Sequence, residues 1–227
     1  MKYDVIIFDA DETLFDFKKS EKEAFKNTML QFDLEYDENY HFKIYHEINA
    51  AIWKEFEVGL ITQEKLKEER FIRLSKDLKI DFDTENFAKA YMKHLGDSSI
   101  LYKDSKPLIE SLYGIYKLLI VTNGLISVQS NRIRKSDIAK YFDEIVISEE
   151  VGLSKPNPEI FQHSLKNIRC TDKSRILIVG DGLTSDILGG INYGIDTCWY
   201  NPNKLLNKTE ITPNYEISSL FDLNHIL

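Results

Sequence analysis

Five short apolar runs constrain the fold of this chain more than any other feature. They are Val5-Ile6-Ile7-Phe8, Leu118-Leu119-Ile120-Val121, Ile145-Val146-Ile147, Ile176-Leu177-Ile178-Val179 and Thr197-Cys198-Trp199-Tyr200. The first four are continuous rather than alternating, the pattern of strands buried on both faces of a parallel sheet. Helical patterns over 106–112, 128–138, 158–167 and 185–193 lie around the last four runs. Strand and helix in alternation imply right-handed crossovers and helices on both faces of the sheet. The expected fold class is therefore α/β, a Rossmann-like parallel sheet core, with Thr197–Tyr200 as its last strand.

The first run is split from the others by a block of different character. From 16 to 98 there are almost no strand-like runs, and the only glycines are Gly59 and Gly96. Helices are expected over 21–32, 38–57, 63–78 and 85–95. Gly59 suits the residue after the second helix, Thr62 can cap the third, and Asp83 or Thr84 the fourth, with Gly96 at its end. The block reads as an inserted α-helical cap domain. The expected division is a core of 1–15 and 99–227 and a cap of 16–98. An insert planted directly after the first strand is placed as a lid would be.

Bulk properties narrow the partners. The 227 residues include 29 basic and 37 acidic ones, a net charge of −8, and 43% are apolar. An acidic balance argues against a nucleic-acid polymer or an anionic membrane as partner. No apolar stretch approaches the ~20 residues of a membrane helix, and no charged-then-apolar leader opens the chain. Two cysteines, Cys170 and Cys198, form neither a disulfide framework nor a metal-ligand pattern. The expectation is a cytoplasmic protein, monomer or homodimer.

Chemistry gathers where the apolar runs end. In open α/β sheets ligands bind beyond the carboxyl ends of the strands. Those ends carry Asp9-Ala10-Asp11-Glu12, Thr122-Asn123-Gly124, the segment from Ser148 to Lys155, and Gly180-Asp181-Gly182 with Asp186. Close carboxylates repel unless a positive charge holds them, and Mg²⁺ suits such oxygen ligands. Other candidates fall away. His41 and His46 do not share a helix face, and Ser98-Ser99 and Ser218-Ser219 lack nearby His/Asp logic for nucleophilic catalysis.

In this order and spacing the chain resembles the haloacid dehalogenase (HAD) superfamily of phosphohydrolases over its full length. Asp9-Ala10-Asp11-Glu12-Thr13 matches the first motif, Thr122 the second, Lys155 the third, and Gly180-Asp181 with Asp186 the fourth. The resemblance implies Asp9 as nucleophile, giving an aspartyl-phosphate intermediate, and Asp11 as general acid and then base. It implies Mg²⁺ held by Asp9, the main-chain carbonyl of Asp11 and Asp181, with Asp186 behind them in contact with a ligand water or Lys155. Thr122 and the Asn123 backbone N–H would meet the phosphate oxygens, and Lys155 would neutralise their charge.

A finer resemblance, to the bacterial pyrimidine 5′-nucleotidase group, rests on the stretch 48–62 with 146–152 and 185–192. It implies a small-molecule phosphate ester as substrate, a nucleoside monophosphate with pyrimidine preference. Phe42 and Tyr45 read as cap core. Trp53 and Phe56 are the candidates to face the cleft, where a flat ring would stack a base. One departure is Tyr102-Lys103-Asp104-Ser105-Lys106-Pro107, where such proteins usually carry Pro-Gly. Alternatives are a sugar-phosphate or other small-metabolite phosphatase, a 2-haloacid dehalogenase, and a non-catalytic binding module. Asp11 argues against the dehalogenase, which carries a non-acidic residue there.

Overall fold

The computed structural model describes residues 2–57 and 59–227. Six strands form one sheet: β1 (Val5–Phe8), β2 (Lys117–Thr122), β3 (Glu144–Ile147), β4 (Ile176–Gly180), β5 (Asp196–Tyr200) and β6 (Tyr215–Ile217). Their spatial order is β3-β2-β1-β4-β5-β6, and each adjacent pair runs parallel. Val5 lies opposite Lys117 on one side and Ile176 on the other. The order reverses between β1 and β4. A doubly wound sheet opens its binding crevice at that switch, beyond the carboxyl ends of those strands.

Both faces of the sheet are buried, which is why its strands read as unbroken apolar runs. Ile6, Phe8, Leu118, Ile120, Leu177 and Val179 pack into one core. Val5, Ile7, Leu119, Val121, Ile176 and Ile178 pack into another. Alternate residues of each strand thus enter opposite layers, as the period of two requires.

Compactness divides the chain into two units, one running to Phe17 and resuming at Ser99 through Leu227, the other Lys18–Ser98. The second unit is helical: α1 (Phe17–Gln31, whose first residue belongs to the first unit), α2 (Lys43–Glu57), α3 (Gln63–Leu78) and α4 (Thr84–Gly96). Local signals set these ends. Thr62 accepts a hydrogen bond from Lys65 N at the start of α3, and Asp83 accepts one from Asn86 N at the start of α4. Gly59 takes φ +74°, a left-handed value that favours glycine. The unit's core is aromatic: Tyr45, fully buried, stacks on Phe25 at 4.5 Å and on Phe71 at 5.7 Å. Phe42 is half-buried at its edge. A polar chain runs beside the rings. Asn49 Nδ2 donates to Glu21 Oε1 (2.6 Å) and Arg70 Nη1 donates to Asn49 Oδ1 (2.9 Å).

The first unit adds α5 (Ser105–Leu112), α6 (Ile126–Arg132), α7 (Ser148–Val151), α8 (Glu159–Ser164) and α9 (Leu188–Tyr193). Three sequence expectations need correction. Thr197–Tyr200 is not the last strand, because three-residue β6 follows it, too short to carry a periodic signal. The helix expected over 128–138 stops at Arg132, and a 3₁₀ turn forms at Ala139–Tyr141. Residues 38–42 form a π-helical turn ahead of α2, closed by Asp37, whose carboxylate accepts from Tyr40 N while its own N–H donates to His41 Nδ1. Among the described residues no helix is long and apolar enough to cross a membrane.

Candidate active site

The site begins where β1 ends. Asp9 N still donates to Val179 O (2.9 Å), so Asp9 is held in strand geometry. Alternation then turns Ala10 into the core, fully buried. A tight turn follows, with Leu14 N and Phe15 N both donating to Ala10 O. Glu12 takes φ +61°, a costly conformation for a side chain larger than glycine's. It is fixed from two sides: Glu12 N donates to Phe15 O (2.8 Å) and Tyr102 Oη donates to Glu12 Oε2 (3.2 Å).

Lys155 ties three strand ends together. Its ammonium donates to Asp9 Oδ1 (2.5 Å) and Val121 O (2.7 Å), and lies 2.6 Å from Asp186 Oδ1. Asp9, Lys155 and Asp186 are all buried. Asn123 secures the lysine's segment: Asn123 Nδ2 donates to Lys155 O and Lys155 N donates to Asn123 Oδ1. The Lys155–Pro156 peptide bond is cis.

The β4 end supplies two further carboxylates. Asp181 N donates to Thr13 Oγ1 (3.1 Å) and its carbonyl accepts from Trp199 Nε1 (2.9 Å). Asp186 folds back over the strand end, where Gly182 N donates to its Oδ2 (2.9 Å). That approach requires a glycine at 180, since a Cβ there would come within 2.3 Å of Asp186 Oδ2. Oxygens of Asp9, Asp181 and Asp186 all lie within 4.8 Å of one another. The carboxylate of Asp186 therefore enters this group, and that of Asp11 does not.

Charge is out of balance in the cluster. Burial pushes the Asp9 carboxyl up to about 7; the Lys155 ammonium opposes the rise, and the charges of Asp186 and Asp11 add to it. Asp181 is also pushed well above the ordinary carboxylate range, by burial first and then by Asp9 and Asp186. Burial alone would lower the Lys155 ammonium, but Asp186 and Asp9 outweigh it and hold it above its usual value. One ammonium among three carboxylates leaves a negative, all-oxygen donor set. That chemistry fits a hard divalent cation.

Asp11 is held elsewhere. Its Oδ1 accepts from Arg132 Nη1 (2.6 Å) and its Oδ2 from Gln129 Nε2 (2.7 Å). Gln129 Nε2 also lies 3.3 Å from the hydroxyl of buried Thr122. Ser148 Oγ accepts from Gly124 N (3.0 Å), joining the ends of β2 and β3.

The first unit thus brings together Asp9, Asp11, Thr122, Asn123, Lys155, Asp181 and Asp186. Trp53 and Phe56 belong to the helical unit, half-buried, with their rings 5.8 Å apart and edge to face. Sequence reasoning placed Thr13 in the first motif without giving it a role, and missed Gln129, Arg132 and Trp199. Gln129 and Arg132 carried a readable signal, three residues apart on one helix face just after Thr122-Asn123-Gly124. Trp199 carried none, since an aromatic in an apolar run reads as core.

Comparison with known proteins gives the family. Residues 6–200 match the family model of haloacid dehalogenase-like hydrolases. The pyrimidine 5′-nucleotidase YjjG of Escherichia coli is 36% identical, covering 100% of this chain and 99% of the relative. The pyrimidine 5′-nucleotidase PynA of Streptococcus pneumoniae is 34% identical, over 98% and 94% of the two chains. The crystal structure of the HAD-hydrolase YfnB from Bacillus subtilis, bound to magnesium, superposes with a TM-score of 0.93 at 34% identity over 100% of this chain and 99% of that one. A 2-haloacid dehalogenase from Pseudomonas syringae shares the fold, with a TM-score of 0.68 at 22% identity. The chain belongs to the haloacid dehalogenase-like hydrolase family, and it is an enzyme of that hydrolase class.

Proposed function

We propose that this protein is a Mg²⁺-dependent phosphomonoester hydrolase that acts through an aspartyl-phosphate intermediate, with pyrimidine nucleoside 5′-monophosphates as preferred substrates. One observation carries the chemical part of the reading. A buried carboxylate at a strand end, Asp9, is in direct contact with a buried ammonium, while a second carboxylate two residues on, Asp11, is held by separate donors. Two carboxylates with separate surroundings can have separate tasks.

In the first half-reaction an Asp9 oxygen attacks phosphorus, the ester P–O bond breaks, and the leaving oxygen takes a proton from Asp11. In the second, water attacks phosphorus and gives its proton to Asp11, and the bond from Asp9 to phosphorus breaks to release inorganic phosphate. The Thr122 hydroxyl offers a donor to the phosphoryl oxygens, and the Lys155 ammonium offers them positive charge. Asp9, Asp181 and the Asp11 carbonyl, with Asp186 beside them, would hold Mg²⁺, which would supply positive charge to the transferring group.

An acidic protein argues against a polymeric anion as partner, and a small anionic ester suits a site where Mg²⁺ together with Lys155 would reverse the local field. The nucleotide preference draws on the two pyrimidine 5′-nucleotidase relatives. The helical unit is read as the lid, with Trp53 and Phe56 as base-stacking candidates. Phosphate release from a panel of nucleotides and sugar phosphates tests the whole reading. Mg²⁺-dependent release, fastest with pyrimidine nucleotides, is expected. A sugar phosphate at the head of the panel would move the substrate assignment, and no release from any ester would overturn the reading.

A further inference from the structure

The grip on Asp11 has a construction that a surface ion pair lacks. Arg132 is fully buried. Its guanidinium lies over the rings of Phe15 (5.7 Å to the centroid) and Phe17 (5.2 Å), and its Nη1 donates to Gln129 Oε1 (2.9 Å) as well as to Asp11. Gln129 is buried too and bridges Asp11 to Thr122. Room for Gln129 is made by Gly124: a Cβ there would come within 2.7 Å of Gln129 Cγ. Burying a guanidinium is costly unless it is paired and hydrogen-bonded. The partner chosen is a carboxylate whose side chain stays 23% exposed, so the pair does not serve to hide Asp11.

We infer that Gln129 and Arg132 are positioning residues for the proton-transfer carboxylate, an inference that rests on the phosphatase reading above. A free aspartate samples several rotamers. Two donors on fixed side chains, one per oxygen, restrict Asp11 to one orientation. Each carboxylate oxygen retains a second lone pair for the proton it moves.

Three variants probe the arrangement: Arg132→Lys, Gln129→Met, which keeps the length but removes the donor, and Gly124→Ala, which pushes Gln129 aside without altering it. Each is assayed with Mg²⁺ in two ways, by the pre-steady-state burst of 4-nitrophenolate from 4-nitrophenyl phosphate and by steady-state turnover of a pyrimidine nucleotide. 4-Nitrophenolate leaves without needing a proton, so the burst rate should stay close to wild type. The nucleotide kcat should fall about tenfold to a hundredfold, part of what acid–base catalysis supplies, with KM little changed. In an Asp11→Asn background the same substitutions should cost nothing further.

Equal losses in burst and nucleotide turnover would reduce the clamp to a structural role and overturn the inference, as would undiminished nucleotide turnover in all three variants. If Arg132→Lys fails to fold in a thermal melt, the other two variants decide. A wild type that releases no phosphate removes the phosphatase reading itself, and this inference with it. An active wild type impaired by Asp11→Asn but indifferent to the clamp removes the inference alone.

Discussion

Each unit buries charge, and the two do it differently. In the helical unit Glu21 (1% exposed) and Arg70 (2% exposed) are joined through the amide of Asn49, one negative charge for one positive. His46 Nδ1 lies 2.9 Å from the other Glu21 oxygen, and Arg70 rests on the rings of Phe71 and Tyr91. At the sheet edge three carboxylates surround one ammonium. A balanced buried pair needs nothing more and reads as architecture. An unbalanced one leaves a negative charge that burial makes costly, and it is poised for a cation or for chemistry.

The comparison breaks most visibly if Asp9 is dispensable. Asp9→Asn should reduce phosphate release by at least about 10⁴-fold, the loss expected when a covalent nucleophile is removed, while circular dichroism stays native. Arg70→Ala should do the reverse. Removing Arg70, the buried cation joined to Glu21 through Asn49, should cost about 3–5 kcal/mol in urea unfolding, the usual result of removing one partner from a buried pair. That loss should be the same with Mg²⁺ and with EDTA.

The sheet-edge cluster should respond to metal and pH. With EDTA, Asp9 titrates near 7 in the folded protein against an ordinary 3.8. The folded state then holds more protons than the unfolded one between these values, so stability falls as pH rises through that window. A saturating cation at a hundred times its Kd should restore about 2.7 kcal/mol, read as a rise of the thermal midpoint of roughly 5–10 °C. Midpoints that ignore both EDTA and pH would put the two buried networks in one class. The smallest effect belongs to Cys198, buried in the sheet core. Burial pushes its thiol up to about 12. At pH 8 an aromatic disulfide reagent should therefore modify half-buried Cys170 first and Cys198 only on unfolding.

The parts of this molecule that were legible in sequence are those set by local chemistry. The apolar runs of β1, β2 and β4 show in sequence because both faces of each strand are buried, and Thr62 and Asp83 show because helix caps are local. Asp9, Thr122, Lys155 and Asp181 stand out because they follow apolar runs into turns. Gln129 and Arg132 lie in an ordinary helical pattern, and only the fold, which brings α6 beside the β1 turn, reveals their partner. Trp199 and Thr13 fix Asp181 through its backbone N–H and carbonyl, contacts that leave no pattern. β6 is three residues long after an extended loop, below the length at which a period can be read.

On the proposed mechanism Asp9 carries the phosphoryl group during turnover. Acid-quenching the Mg²⁺-loaded enzyme during turnover, followed by peptide mass analysis, tests that directly. A single phosphoryl adduct on the peptide containing Asp9, appearing and decaying at rates compatible with kcat and absent in Asp9→Asn, is the predicted result. Steady phosphate release by an Asp9→Asn enzyme, or turnover with no adduct on that peptide, would contradict it.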